Sequence, residues 1–262
     1  MPKTILITGA TDGIGLETAK LLSEEGHNVL LHGRNPAKLE AATAALPAKA
    51  GIYIADFSNL SDVIALSKSV TAQHDKIDVL INNAGVLKSP SPVTPDGLDV
   101  RFVVNTIAPY LLTRHLLSAM GTSGRIINLS SAAQAPVDLA ALKGEKQLED
   151  MAAYSQSKLA ITMWTRALAA ELPDGPLVIA VNPGSLLASK MVKEGFGVPG
   201  NDLRIGADIL RRAALAGDFA SHTGAYFDND AGRFAPPHPA GLDAKASKAL
   251  MAVLDAMIAD AA

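Results

Sequence analysis

Short aliphatic runs recur along the chain, and each is followed by a longer stretch whose apolar positions repeat at helical spacing. The runs are Thr4–Ile7, Asn28–His32, Gly51–Ala55, Ile77–Asn82, Gly124–Leu129 and Leu177–Val181. Val79-Leu80-Ile81 shows the type, with no polar residue in alternation, as expected of a strand covered on both faces. The helical stretches are Gly13–Glu25, Pro36–Leu46, Leu60–Gln73, Asp96–Met120 and Asp150–Leu172. Pro36 fits the first turn of its helix, where a missing N–H costs nothing. This alternation predicts βαβ units and an α/β fold, a doubly wound parallel sheet with helices on both faces. After Pro183 the pattern loosens. Leu186–Glu194 and Leu203–Ala216 predict short helices, Ala225-Tyr226-Phe227 a last strand, Asp228–Gly241 a loop, and Ala244–Ile258 a terminal helix.

Composition narrows the picture. At 262 residues the chain has room for one large α/β domain over 1–262, with a substrate-loop region at about 186–216 and a C-terminal helix at about 244–258. Apolar residues make up 48 % and aromatics only 4 %, so the core has to be built from Val, Ile, Leu and Ala. The net charge of -3 comes without a basic stripe, so no nucleic-acid partner is expected. Absence of cysteine excludes disulfides and thiolate chemistry and suits a cytoplasmic protein. No apolar run approaches a membrane span, and the first strand begins near Lys3, which argues against an N-terminal signal. The histidines show no ligand spacing and are read as bland; no metal site is expected.

Thr8-Gly9-Ala10-Thr11-Asp12-Gly13-Ile14-Gly15 joins the first strand to the first helix. Gly9 allows a sharp turn, Gly13 lets backbone approach a pyrophosphate, and Gly15 allows close helix-to-strand packing. The helix N-terminus adds unpaired N–H groups and a positive dipole end. Gly9, Thr11, Asp12, Gly13, Ile14 and Gly15 are therefore candidate cofactor contacts in a Rossmann-type fold. With Asn82-Asn83-Ala84-Gly85 after the fourth strand, the chain resembles the short-chain dehydrogenase/reductase family over Lys3 to about Met191. That resemblance implies an oxidoreductase binding a nicotinamide dinucleotide, with Asn83, Ala84 and Gly85 beside it.

The end of the second strand bears on which dinucleotide. An acid there grips the ribose hydroxyls of NAD. Gly33 stands where NAD-preferring relatives carry Asp, and Arg34 offers a guanidinium to a 2′-phosphate. NADP(H) is therefore favoured over NAD(H), with Arg34 and Asn35 as candidate contacts, although Asp12 occupies a place that is often basic in NADP-using relatives. Resemblance puts Asp56 and Phe57 beside the adenine; Asp56 equally fits a helix cap.

Tyr154 and Lys158 stand four apart in a helical stretch, which puts both on one face. A free phenol titrates near 10, and an adjacent ammonium favours its ionised form. In the family, such a pair performs acid–base work beside a Ser that holds the substrate oxygen. By register that is Ser131, with Ser130 rejected. Asn105 matches the family's helix Asn, expected to support a water-mediated proton path; a buried amide satisfied by backbone is its plain alternative. The resemblance implies interconversion of a ketone or aldehyde and an alcohol, with Tyr154 as acid/base. It also places Pro183, Gly184 and Leu186 over the nicotinamide and gives Ser189 its carboxamide contact.

Between Ser131 and Tyr154 lie 22 residues, Ala132 through Ala153, more than the commonest family spacing. The extra Pro136–Asp150 stretch reads as an insertion near the substrate mouth. That spacing, and the Gly224-Ala225-Tyr226-Phe227 ending, resemble the retinol-dehydrogenase-like and WW-domain-oxidoreductase-like branch. The implied partner is a small carbonyl or alcohol substrate, with Met191, Phe196 and Val198 as a candidate apolar lid. A non-catalytic NADP(H) sensor would lose the proton donor, and a redox-neutral epimerase or dehydratase would need a larger C-terminal domain. The family forms homodimers or homotetramers through two long helices, so Leu159, Met163 and Ala167 are candidate contact positions.

Overall fold

The computed structural model describes residues 1–261, with the side chain of Phe196 outside the described residues. Its centre is an eight-stranded sheet in the order β3-β2-β1-β4-β5-β6-β7-β8. The first three strands are β1 (Thr4–Ile7), β2 (Asn28–Gly33) and β3 (Gly51–Ile54), followed by β4 (Val79–Asn82), β5 (Arg125–Leu129) and β6 (Leu177–Asn182). β7 (Tyr226–Asp228) continues the parallel set, and β8 (Arg233–Ala235) pairs with it antiparallel. The chain reverses direction across the sheet between β1 and β4, which opens a crevice at their C-terminal ends.

Successive strand residues point to opposite faces, and both faces are apolar. Leu6, Leu30, Leu80 and Ile126 join one core, with α3 (Leu60–Gln73), α5 (Ala108–Met120), α7 (Asp150–Glu171) and α10 (Ala244–Asp260). Ile5, Ile7, Val79 and Ile81 join the other, with α1 (Gly13–Glu24), α2 (Pro36–Ala44) and α9 (Leu203–Leu215). Such two-sided burial is the reason the strands lack polar alternation. Leu159 and Met163 are buried in the first core, where Gly241 packs on both and Leu250, Met251 and Leu254 of α10 complete the layer. The chain's own C-terminal segment thus covers positions read as candidate subunit contacts. Among the described residues, no helix is long and apolar enough to cross a membrane.

Three boundaries differ from the sequence expectation. The helix expected from Asp96 begins as α4 (Val100–Phe102), because Gly97 turns back on Thr94 with φ +79°. It then widens into a π-helical turn at Val103–Ile107 before α5. Pro109 has no N–H for the Asn105 carbonyl, and the Ala108 N–H bonds to the Val103 carbonyl instead, five residues back. The helix expected over Leu186–Glu194 is displaced to α8 (Lys190–Phe196), capped by Ser189. Before it the chain is held open by Gly184 (φ 121°) and Leu186 (φ 51°). The expected loop at Asp228–Gly241 holds β8 and a 3₁₀ turn at Pro239–Leu242, since Phe234 packs edge-on against Phe219 and Phe227. A short α6 (Leu139–Leu142) lies within the Pro136–Asp150 stretch.

Candidate active site

A cavity of about 650 Å³ runs along the C-terminal ends of β1, β2 and β4 toward α7. At one end lies the glycine loop. Gly9 has φ +64°, and a Cβ there would stand 2.8 Å from the Ala84 Cα. A Cβ on Gly15 would stand 2.4 Å from the Gly9 carbonyl oxygen, so α1 meets the loop at bare-backbone distance. Gly13 is different. Its Cβ would find only Ser189, at 3.8 Å, so this side of the loop is open. The N–H groups of Ile14 and Gly15, in the first turn of α1, have no acceptor among the described residues. Open backbone, unpaired N–H groups and a helix N-terminus fit a dinucleotide pyrophosphate.

Several expected cofactor contacts also serve the fold. Asp12 caps α1, its carboxylate accepting the Gly13 N–H at 2.7 Å. Asn83 donates from Nδ2 to the Thr8 and Gly9 carbonyls at 2.8 and 2.9 Å, stapling the loop to β4. Ala84 and Gly85 continue the cavity wall with Thr11 and Pro183. Asn35 caps α2 by accepting the Lys38 N–H at 3.0 Å and lies outside the cavity lining, whereas exposed Arg34 stands on it. Asp56 closes an Asx turn onto Ser58 rather than capping α3; Asn59 is the cap.

His32 escaped the sequence reading. It is buried in the cavity floor, between the glycine loop and the end of β3. Nδ1 accepts the Gly9 N–H at 3.3 Å, so the proton sits on Nε2, 3.1 Å from the Ala55 carbonyl. The ring stacks on Phe57 with centroids 4.2 Å apart. Burial pushes its pKa down to about 4. The unfolded chain therefore takes up this proton as pH falls through 6.5, while the folded protein resists until about 4. The His32 contribution to stability is intact above pH 6.5 and is lost as pH falls across that window, by about 3 kcal/mol at most. Urea midpoints measured from pH 7 to pH 4.5 should fall more steeply in the wild type than in His32→Gln. Parallel slopes would refute the assignment.

At the other end, α7 carries Tyr154 and Lys158 on one face. Its N-terminus is tied down by buried Arg101, which forks onto Asp99 at 2.6 and 2.8 Å and also pairs with Asp150, one turn before Tyr154. Lys158 Nζ donates to the Leu129 carbonyl at 2.8 Å and lies 5.7 Å from the centre of the Tyr154 ring. Burial pushes the Tyr154 phenol above its ordinary value, and the Ser131 side chain opposes that rise. The sequence spacing suggested the ammonium as the main control on the phenol; here burial dominates. Burial also lowers Lys158 to about 8.

The two serines are separated by their partners. Ser130 is buried, with its hydroxyl engaged by Thr162 at 2.7 Å and the Lys158 carbonyl at 3.1 Å. Ser131 is half-buried and lies outside the cavity lining, which Ser130 joins; its hydroxyl accepts the Ala133 N–H at 3.1 Å, which leaves its own proton to donate. Asn105 lies in the π-helical turn. Its Oδ1 accepts the Val86 N–H at 2.8 Å, and its Nδ2 donates to the Val86 carbonyl at 2.9 Å and Ser157 Oγ at 3.0 Å. Both Nδ2 protons are engaged, while Oδ1 keeps a second lone pair. Gly184 and Leu186 lie outside the cavity lining; Asp230 fixes the turn between them by accepting the Ser185 N–H at 2.8 Å and its hydroxyl at 2.6 Å. Ser189 and Met191 do line the cavity. Among the described residues no group of His, Asp and Glu is arranged to hold a metal ion.

The sequence model of the family described as short chain dehydrogenase matches residues 3–196. Human retinol dehydrogenase 13 is 32 % identical over 251 residues, 86 % of this chain and 76 % of that protein. Short-chain dehydrogenase chry4 of Gibberella zeae is 31 % identical over 253 residues, covering 94 % and 93 % of the two chains. Among solved structures, a short chain dehydrogenase from Burkholderia cenocepacia in complex with NADP superposes with a TM-score of 0.71 at 26 % identity, over 86 % of this chain and 95 % of that one. A 3-ketoacyl-(acyl-carrier-protein) reductase from Brucella melitensis complexed with NADH gives 0.69 at 25 % identity, over 86 % and 96 %. Together with the glycine loop on a doubly wound sheet, these matches show that the chain belongs to the short-chain dehydrogenase/reductase family of oxidoreductases, in its retinol-dehydrogenase-like branch.

Proposed function

We propose that this protein is an NADP(H)-dependent oxidoreductase that reduces a ketone or aldehyde to an alcohol. We read the chain as one catalytic unit with Tyr154 as its acid. The observation that carries the reading is a single cavity joining the acceptor-less N–H groups of α1 to Tyr154 and Lys158. A nicotinamide dinucleotide bound there supplies the hydride. Tyr154 gives its phenolic proton to the substrate oxygen; a phenol raised by burial still holds that proton at neutral pH, as an acid must. Ser131 donates its free hydroxyl proton to the same oxygen, a fixed dipole where negative charge develops. Lys158 keeps a cation beside the phenol, and Asn105 holds the Val86 backbone so that the wall facing them keeps its shape. The test is NADPH oxidation against a panel of aldehydes and ketones. No turnover with any of them would remove the reading.

Two features favour NADP(H). Arg34 stands at the cavity rim, its guanidinium without a partner among the described residues. Gly33 carries no acid to grip the ribose, and a Cβ there would have to displace the Thr11 methyl, 2.5 Å away. Arg34→Ala is expected to raise the KM for NADPH about 10- to 100-fold, the worth of a charge-assisted contact. Its kcat/KM with NADH should stay within about twofold of wild type, since that cofactor lacks the phosphate. An equal loss with both cofactors would show that Arg34 does not read the 2′-phosphate.

A further inference from the structure

We propose that Tyr226 is a positioning residue for Ser131, holding it from across the sheet. The proposal rests on the role given to Ser131 above. The Tyr226 hydroxyl donates to the Ser131 carbonyl at 3.1 Å. The same carbonyl accepts Gln134 Nε2 at 2.9 Å, and Gln134 Oε1 in turn accepts the His238 N–H at 2.9 Å. The peptide that follows β5 is therefore clamped from two directions, by its own next turn and by β7.

The far anchor is rigid. Tyr226 is 5 % exposed and sits in the ladder between Ala180 of β6 and Ala235 of β8. Burial and the nearby carboxylates of Asp228 and Asp230 push its phenol upward, so it remains a donor wherever the enzyme works. Ser131 needs such help. Its side chain accepts a local bond from Ala133 and otherwise meets the Tyr154 phenol, and it stands where the sheet ends and an irregular stretch begins. A hydroxyl that stabilises a developing charge is only as well aimed as the peptide that carries it, and a displacement of about 1 Å costs about 100-fold in rate.

The experiment is a double-mutant cycle on the full-length protein with NADPH and the best aldehyde or ketone of the panel, using Tyr226→Phe, Ser131→Ala and both together. Tyr226→Phe keeps the ring and removes only the donor. It is expected to lower kcat about tenfold while leaving the NADPH dissociation constant within about twofold of wild type. In the Ser131→Ala background the same change is expected to cost less than about twofold, because the hydroxyl it aims is gone. The alkaline limb of the reductive pH profile should also move upward in Tyr226→Phe, since a misplaced Ser131 no longer opposes the burial-driven rise of Tyr154. Gln134→Met, which removes the second donor, should repeat the pattern. Equal losses in both backgrounds would show general loosening and overturn the clamp, as would no loss in either. A Ser131→Ala variant as active as wild type, or a wild type without turnover, would overturn the function assigned above and the clamp with it.

Discussion

Tyr154→Phe is expected to lower kcat for carbonyl reduction by about 10³-fold, near the middle of the range for a positioned general acid. The variant keeps the aromatic ring beside Lys158 and loses only the proton that the substrate oxygen needs. Nothing on the glycine loop changes, so the NADPH dissociation constant should stay within about threefold of wild type, measured by quenching of Trp164 fluorescence or by calorimetry. Tyr154→Phe retaining a tenth or more of wild-type turnover would remove Tyr154 from the acid role. The pH profile adds a second check. Burial raises the phenol above its ordinary value, so its proton stays in place well above neutral pH, and a first decline near pH 8 would report loss of the Lys158 charge. A decline centred below pH 8 would contradict that environment.

Gly15→Ala should weaken NADPH binding about 100-fold, the loss expected when two N–H contacts to a phosphate are misplaced. The added Cβ has no free space: it would stand 2.4 Å from the Gly9 carbonyl oxygen and 2.5 Å from Asn83 Nδ2. Neither neighbour yields easily, because Asn83 is itself bonded to the Thr8 and Gly9 carbonyls. The loop must shift, at about 1–3 kcal/mol of stability, and a Tm lower by several degrees should accompany the binding loss. Gly217→Ala serves as the control, since a Cβ there meets nothing within 4 Å. Binding unchanged in Gly15→Ala would mean that the loop is not the pyrophosphate site.

How much of this was legible in the chain follows from how far apart the interacting groups lie in it. Strands buried on both faces announce themselves as unbroken aliphatic runs, and Tyr154 and Lys158 share a face because helical pitch brings positions four apart together. The glycine loop is legible for the same reason, since each glycine answers a local need of the strand–turn–helix unit. Pro109 alone hinted at the π-helical turn around Asn105, but its effect on the ladder emerges only when the helix is built. The displaced α8 and the strand β8 are not legible in the chain because their ends are set by Asn201 and by Phe219, which lie outside the local pattern.

By itself the sequence determined the alternation of strands and helices as far as β6, the doubly wound sheet, the glycine loop and the Tyr154–Lys158 pair, all consequences of patterns within a few residues. Tertiary structure alone decided the rest: that His32 braces the glycine loop, that Arg101 anchors the start of α7, that Ser130 is consumed by Thr162, and that Tyr226 reaches the Ser131 peptide. Lys158 donates to the Leu129 carbonyl, and burial pushes the Tyr154 phenol upward. The physical reason is common to all of them. Periodicity records which side of an element is hidden from water, whereas a buried polar group takes whichever partner the packing of distant segments brings within about 3 Å.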